Sequence, residues 1–492
     1  MRKFLFLAAV MLGLAAVSAF AEGYPYDNLY EGLPFKMPKV VRPSFPDRTV
    51  VITAYGAKGD GTTLATAAIQ KAIDETSAKG GGKVVVPQGV WYTGPIKLKS
   101  NINLHLERGA VILFSPDPDL YPIVSSVFEG LDTKRCQSPI SGESLENVAI
   151  TGEGVIDGNG QYWRPLKREK VTPGYWKDVT SKGGAFIRDG FWIPTEGAKK
   201  GYLMADMNVP TGNLSAEQWD SIKVFLRPVM VNIVNSKNVW LQGVIFQNSP
   251  AWNVHPLMCE NVLIESVEIR NPSFAQNGDG LDLESCRNSL VVNSRFDVGD
   301  DGICIKSGKD ADGRRRNRPC ENVIVDGCTV FKGHGGFVVG SEMSGGVKNV
   351  SVSNCQFLGT DVGLRFKSKR GRGGVVENIW IKNVSMFDIP TEAVIFNLYY
   401  GGLSAAEAQA AGKNKAEEIK PEPVTEETPS FRNIYIEDVV CRGAGRAMFF
   451  NGLPEMPVRN INLKNVHITA KKPAEFKYCE NIKQENVVVT VE

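Results

Sequence analysis

An Asn followed by alternating apolar residues recurs down the second half of the chain, and this repeat leaves few folds open. It appears as NVWLQGVIF from Asn238, NVLIESVEI from Asn261, NSLVVNSRF from Asn288 and NVIVDGCTV from Asn322. It continues as NVSVSNCQF from Asn349, NIWIKNVSM from Asn378, NIYIEDVV from Asn433 and NINLKNVHI from Asn460. The starts are 23 to 34 residues apart, except for one gap of 55 residues before Asn433. Alternation at period two reads as strand, and a repeat of this length reads as a solenoid. Leucine-rich repeats share the period but need a fixed Leu frame, which is absent, and no repeat carries a convincing helix. Several short strands per repeat, punctuated by Gly, Asn or Asp, predict an all-β fold: a right-handed parallel β-helix of about ten coils. The Asn that opens each coil suits a turn needing left-handed backbone geometry or side-chain hydrogen bonding.

Nearer the start, TAAIQKAIDETSAK (Thr66 to Lys79) places Ala67, Ile69, Ala72 and Ile73 close to one helical stripe, and Gly80-Gly81-Gly82 stops it. This predicts a helix capping the open end of the solenoid, because terminal repeats need covering. Residues 22–492 then form one catalytic-sized domain with two interruptions. Residues 161–227 are rich in aromatic and basic side chains, including Trp163, Trp176, Arg188, Trp192 and Trp219. Residues 401–430 are rich in Ala, Glu and Lys and account for the long gap. Both read as surface loops, or the first reads as a segment folding over a cleft and closing one end.

Residues 1–21 read as a signal peptide: Arg2 and Lys3, an apolar run from Phe4 to Val17, then Ala19-Phe20-Ala21. That run is too short to span a bilayer, and no other segment is long and apolar enough. The expectation is an exported protein, periplasmic or extracellular, with no membrane partner. The balance of 56 basic against 54 acidic residues argues against nucleic acid as a partner. It leaves an acidic substrate open, since a few cations inside a cleft can bind an anion at near-zero total charge. The nine Cys are odd in number and suggest neither a compact disulfide framework nor a metal site. They read as small buried hydrophobes, with one or two bridges left open.

A Gly opening an apolar strand gives four consecutive coils a common frame: NGD-Gly280-LDLES, GDD-Gly302-ICIKS, HG-Gly336-FVVGS and DV-Gly363-LRFKS. Asp279 and Asp301 stand one place before that Gly, Asp300 and His334 two before, and Arg365 and Lys367 two and four after Gly363. Equivalent positions on adjacent coils stack about 4.8 Å apart, so three carboxylates, an imidazole and two cations converge on one patch. Carboxylates this close do not ionise independently, and at least one should hold its proton more tightly, as a general acid near neutral pH must. Strand alternation would send Asp300 and Asp301 to opposite faces, so both reach the cleft only from a turn or bulge, which Gly299 and Gly302 permit. Local hydrogen bonding within a Gly-Asp-Asp-Gly turn is the plainer alternative.

In this order the motifs Asn277-Gly278-Asp279, Gly299-Asp300-Asp301, Gly333-His334-Gly335 and Arg365-Phe366-Lys367 resemble those of the polygalacturonases, family 28 of the glycoside hydrolases. The family's own forms are Asn-Thr-Asp, Gly-Asp-Asp, Gly-His-Gly and Arg-Ile-Lys. Gly278 and Phe366 depart from them between the functional side chains. The likeness extends over the mature chain, including YGAKGDG and GPIKLKS near its start.

The resemblance implies hydrolysis of α-linked galacturonic acid in pectin with inversion. Asp300 would be the general acid, Asp279 and Asp301 would hold and deprotonate the attacking water, and His334 would set the protonation of Asp300. Arg365 and Lys367, with Asn277, would bind the substrate and its carboxylate, with no metal or cofactor needed. An inverting pair needs about 6.5–9.5 Å between acid and base, which diagonal positions on adjacent rungs would supply. GLRFKS followed by RGRGG is closer in look to bacterial exo-acting members than to endo-acting ones. Homogalacturonan and rhamnogalacturonan both stay open as substrate. The rivals are a Ca²⁺-dependent pectate lyase on the same fold and a non-catalytic β-helical glycan-binding protein.

Overall fold

The structure, a computed structural model, describes residues 24–401 and 420–492. The signal-like segment 1–21 and most of the 401–430 insertion lie outside the described residues. Two compact units divide at Pro34. The described part of the first holds the short turn Asp27–Leu29, around which the rings of Tyr24 and Tyr26 meet edge to face at 5.6 Å.

The second unit, from Phe35 onward, is the expected right-handed parallel β-helix, with 30 strands joined into one parallel sheet that wraps on three faces. The Asn-led strands form the first face: Lys237–Gln242, Glu260–Glu265, Arg287–Val292, Cys320–Asp326 and Val347–Ser353 stack in register. Each opening Asn does both things its position demanded. Asn238, Asn261, Asn288, Asn322 and Asn349 all have φ between 55° and 58°. Their amides also donate rung to rung: Asn322 Nδ2 to Asn288 Oδ1 at 3.1 Å and Asn349 Nδ2 to Asn322 Oδ1 at 3.1 Å. The ladder begins before the Asn repeat does, with Thr49–Val51, Gly82–Val86 and Ile102–Leu106. At the Gly82 rung, Gly81 takes the left-handed turn with φ 107°, where a Cβ would lie 2.3 Å from the Asn101 carbonyl oxygen.

Inside the coils, side chains at equivalent positions stack into columns. The rings of Phe366 and Phe396 lie 4.4 Å apart and nearly parallel, and Phe450 continues the column at 4.7 Å from Phe396. Burying each such ring stabilises the fold by about 1.5–3 kcal/mol. All nine cysteines are free thiols, eight of them buried, so none of the bridges left open by the sequence forms.

The predicted helix spans Thr66–Ala78 and covers the first coils, with Ile69, Ala72, Ile73 and Thr76 buried. Its buried stripe begins at Ala65, four residues before Ile69, which puts Ala67 on the exposed side; the expected place of Ala67 on the stripe is therefore corrected. Residues 161–227 are more than a surface loop. They fold into helices Pro173–Thr180, Glu196–Leu203 and Ala216–Ser221 with short antiparallel strands. Trp163, Ile193, Phe225 and Leu226 build a second apolar core there, together with Tyr121 and Cys136.

Candidate active site

The third face of the coil carries the site. Its strands Leu281–Glu284, Asp301–Lys306, Gly335–Val339 and Leu364–Lys367 pair so that Leu281, Ile303, Phe337 and Leu364 stand in one row. The four glycines of the sequence frame therefore align as expected. A Cβ at Gly302 would lie 2.7 Å from Cγ1 of the buried Val330, and one at Gly336 2.3 Å from the ring of Phe357. The glycine slot thus points into the core, and so does the residue after it. Two inward positions in succession turn the corner of the coil and break alternation. Asp301 is left outside at the start of its strand and Asp300 in the bend before it, so both carboxylates reach the cleft.

Asp279, Asp300 and Asp301 present oxygens that all lie within 4.8 Å of one another. This is closer than the 6.5–9.5 Å expected of an inverting pair. The reason is geometric: Asp279 and Asp301 hold equivalent places on adjacent rungs, and the bend at residues 299–300 brings the diagonal Asp300 in beside them. His334 Nδ1 lies 3.1 Å from Asp300 Oδ1. Asp301 is gripped from the far side, with Arg365 Nη1 at 3.1 Å from Oδ1 and Lys367 Nζ at 2.6 Å from Oδ2. Tyr400 lies beneath both cations, its ring centre 5.6 Å from the Arg365 guanidinium and 5.0 Å from Lys367. Asn277 lines the same cavity, but its Oδ1 accepts from Arg227 Nη2 at 2.8 Å, so that oxygen holds the loop as well as facing the site.

The electrostatics separate the three acids. Burial, reinforced by Asp300 and Asp282, raises the Asp279 carboxyl well above the usual range despite Lys306. Burial also opposes the charge on Asp300, but His334, Lys367 and Lys170 outweigh it and hold that carboxyl low. Asp301 is held low in the same way by Lys367 and Arg365. Of the three, it is Asp279 whose carboxyl is raised, while that of Asp300 is lowered.

Several groups escaped the sequence reading. Lys306, 3% exposed, lies 2.9 Å from Glu342 Oε2, 3.4 Å from Asp282 Oδ1 and 4.0 Å from Asp279 Oδ2, with its ammonium 4.3 Å from the ring centre of Trp252. Asp282 and Lys306 stand two and four places after the frame glycines, so the same frame could have found them. Glu129, from the hairpin that follows Ile123–Phe128, and Met207 and Asn208, from the 161–227 insertion, complete the walls of a cavity of about 140 Å³ around the acids. The three carboxylates are close enough to share a cation, yet His334, Arg365 and Lys367 already engage two of them and Lys306 faces the third. The cluster's negative charge is met by the chain's own basic groups.

Comparisons with known proteins point to one family. Residues 219–490 match the family model described as glycosyl hydrolases family 28, and residues 49–105 match one described as rhamnogalacturonase A/epimerase, pectate lyase-like. An exo-poly-alpha-D-galacturonosidase of Dickeya chrysanthemi is 33% identical over 366 residues, which are 72% of this chain and 57% of that protein. An endo-polygalacturonase of Pectobacterium carotovorum subsp. carotovorum is 27% identical over 97% of each chain. The crystal structure of a hyperthermoactive exopolygalacturonase from Thermotoga maritima is similar with a TM-score of 0.74 and 33% identity, covering 92% of this chain and 94% of that one.

Proposed function

The chain belongs to glycosyl hydrolase family 28 and is a glycosidase of galacturonan, and from that premise we propose that it removes galacturonic acid from chain ends with inversion. The observation that carries exo action is the walled cavity. Its volume is about 140 Å³, and Glu129, Met207 and Asn208, from segments outside the coil repeat, stand in its wall beside the acids, which supports a site for a chain end over an open groove. Arg365 and Lys367 bind the sugar carboxylate. Asp300 protonates the leaving oxygen, and Asp279 and Asp301 hold the attacking water.

This assignment needs one proton on three carboxylates, and burial favours that proton on Asp279. An incoming uronate partly neutralises Lys367, one of the cations that keep Asp300 ionised. The proton then passes from Asp279 to Asp300 within the cluster, leaving an ionised base and a loaded acid together.

The spacing favours a second reading. Oxygens within 4.8 Å resemble the closer pair of a retaining enzyme, about 5–5.5 Å apart, more than an inverting one. Proton NMR of the first product separates the two: a β-anomer formed from the α-linked polymer means inversion, and an α-anomer means retention. Digestion of polygalacturonate and of rhamnogalacturonan fragments tests the rest. Monomer accumulating from the start supports exo action, a ladder of oligomers overturns it, and ultraviolet-absorbing unsaturated products would point to a lyase.

Export completes the reading. It is supported by the basic, apolar and Ala-x-Ala pattern of residues 1–21, and fractionation of cells producing the full chain tests it. Among the described residues no helix is long and apolar enough to cross a membrane.

A further inference from the structure

Lys170 belongs to the 161–227 insertion, at the end of the short turn Arg168–Lys170 that leads into the helix Pro173–Thr180. That helix is fixed at its start by Thr172, whose Oγ1 accepts from the Tyr175 amide, and Tyr175 packs on Phe274 at 5.2 Å, in the loop just before Asp279. The insertion is thus docked where Lys170 Nζ comes within 3.5 Å of His334 Nε2. Lys170 does not line the cavity around the three acids. It lines a separate one with Lys332 and Asp361, and His334 forms part of both.

We propose that Lys170 is a positioning residue for the acid step: it fixes the tautomer of His334 and thereby the oxygen of Asp300 that carries the proton. The inference rests on the reading of Asp300 as the acid. A lysine ammonium offers donors only, so Nε2 must supply the lone pair, and the single proton of a neutral imidazole is then on Nδ1. Among the described residues the other charged group near Nε2 is Asp361, with Oδ2 at 3.9 Å, beyond hydrogen-bond reach. Nδ1–H therefore donates to Asp300 Oδ1, 3.1 Å away, and the Asp301 amide donates to the same oxygen at 3.0 Å. With two donors on Oδ1, the transferable proton belongs on Oδ2. Without Lys170, Nε2 is able to take the ring proton, leaving Nδ1 as an acceptor that draws the Asp300 proton away from the substrate.

The chain has four His, so nitrogen-15 labelling of histidine resolves each ring, and His334→Asn identifies the signals of His334. The expected spectrum has a protonated Nδ1 and an unprotonated Nε2. Lys170→Met should move the proton to Nε2 or protonate both nitrogens. It should also lower kcat on polygalacturonate by about tenfold to a hundredfold, less than loss of the acid itself, with KM changed by no more than about twofold. Lys170→Arg should restore both the tautomer and most of kcat. If the ring of Lys170→Met keeps its proton on Nδ1, the proposal fails. It also fails if KM rises while kcat holds, since Lys170 would then be a ligand for a substrate carboxylate. Should Asp300→Asn retain full activity, the acid reading fails instead, and the spectrum still reports whether Lys170 sets the ring.

Discussion

Lys306 Nζ lies 4.0 Å from Asp279 Oδ2, one rung away, and no other cation of the catalytic wall stands on that side of the acid cluster within salt-bridge reach among the described residues. The same ammonium bonds Glu342 and faces Asp282, all within a buried pocket floored by Trp252. Removing it would leave the buried Glu342 carboxylate without its ion-pair partner and Asp279 and Asp282 without the cation beside them. Lys306→Met is therefore expected to destabilise the protein by about 3–5 kcal/mol, the cost of breaking a buried ion pair from one side. Adding Glu342→Gln should recover part of that loss. Urea unfolding of the single and double variants checks this, and equal midpoints for the two would overturn it.

Asp282 supplies a pH dependence. Burial outweighs Lys306 and His255 and raises its carboxyl to about 7, whereas an unfolded Asp titrates at about 3.9. Between these values the folded state holds a proton that the unfolded state has lost. The contribution of this group to stability is then complete below about pH 4, falls as pH rises, and is gone above about pH 7. Asp282→Asn cannot lose the proton, so its stability should decline less over that window than the parent's. Asp279 adds a decline of the same sign that the variant keeps. Parallel curves of urea midpoint against pH for variant and parent would rule this out.

The roles of the acids are separable by leaving group. Asp300→Asn and Asp279→Asn should each lower kcat on the polymer by about 10²–10⁴-fold. An aryl α-galacturonide with a good leaving group needs little protonation, so Asp300→Asn should regain much of its rate on it and Asp279→Asn should not. The reverse pattern would make Asp279, whose carboxyl is the raised one, the acid.

Much of this was legible in the chain because a solenoid repeats its geometry. The rung register that aligns Leu281, Ile303, Phe337 and Leu364 could be read from four glycines, and with it the meeting of Asp279 with Asp301 and of Asp300 with His334. How Asp300 and Asp301 share a face was not legible, because Asp300 sits in the bend before the strand, where the period of two no longer holds. Glu129, Lys170, Met207 and Asn208 were hidden for another reason. They come from segments with no repeat, so nothing in their spacing says which rung they approach. The raised carboxyl of Asp279 depends above all on burial, with Asp300 and Asp282 adding to it, and burial is not written in the spacing of the repeat.

The Asn ladder lets backbone strain be measured apart from hydrogen bonding. Asn322 has φ 57°, donates to Asn288 and accepts from Asn349. Asn322→Gly keeps the left-handed turn at little cost and loses the two side-chain bonds, each worth about 0.5–1.5 kcal/mol. Asn322→Ala loses the same bonds and adds about 1–2 kcal/mol for a Cβ in the left-handed region. Alanine should therefore be the more damaging substitution here, although glycine usually costs more in regular structure. Urea unfolding followed by fluorescence measures the difference. If Asn322→Gly proved the less stable of the two, the turn geometry would not be what holds Asn at the head of each coil.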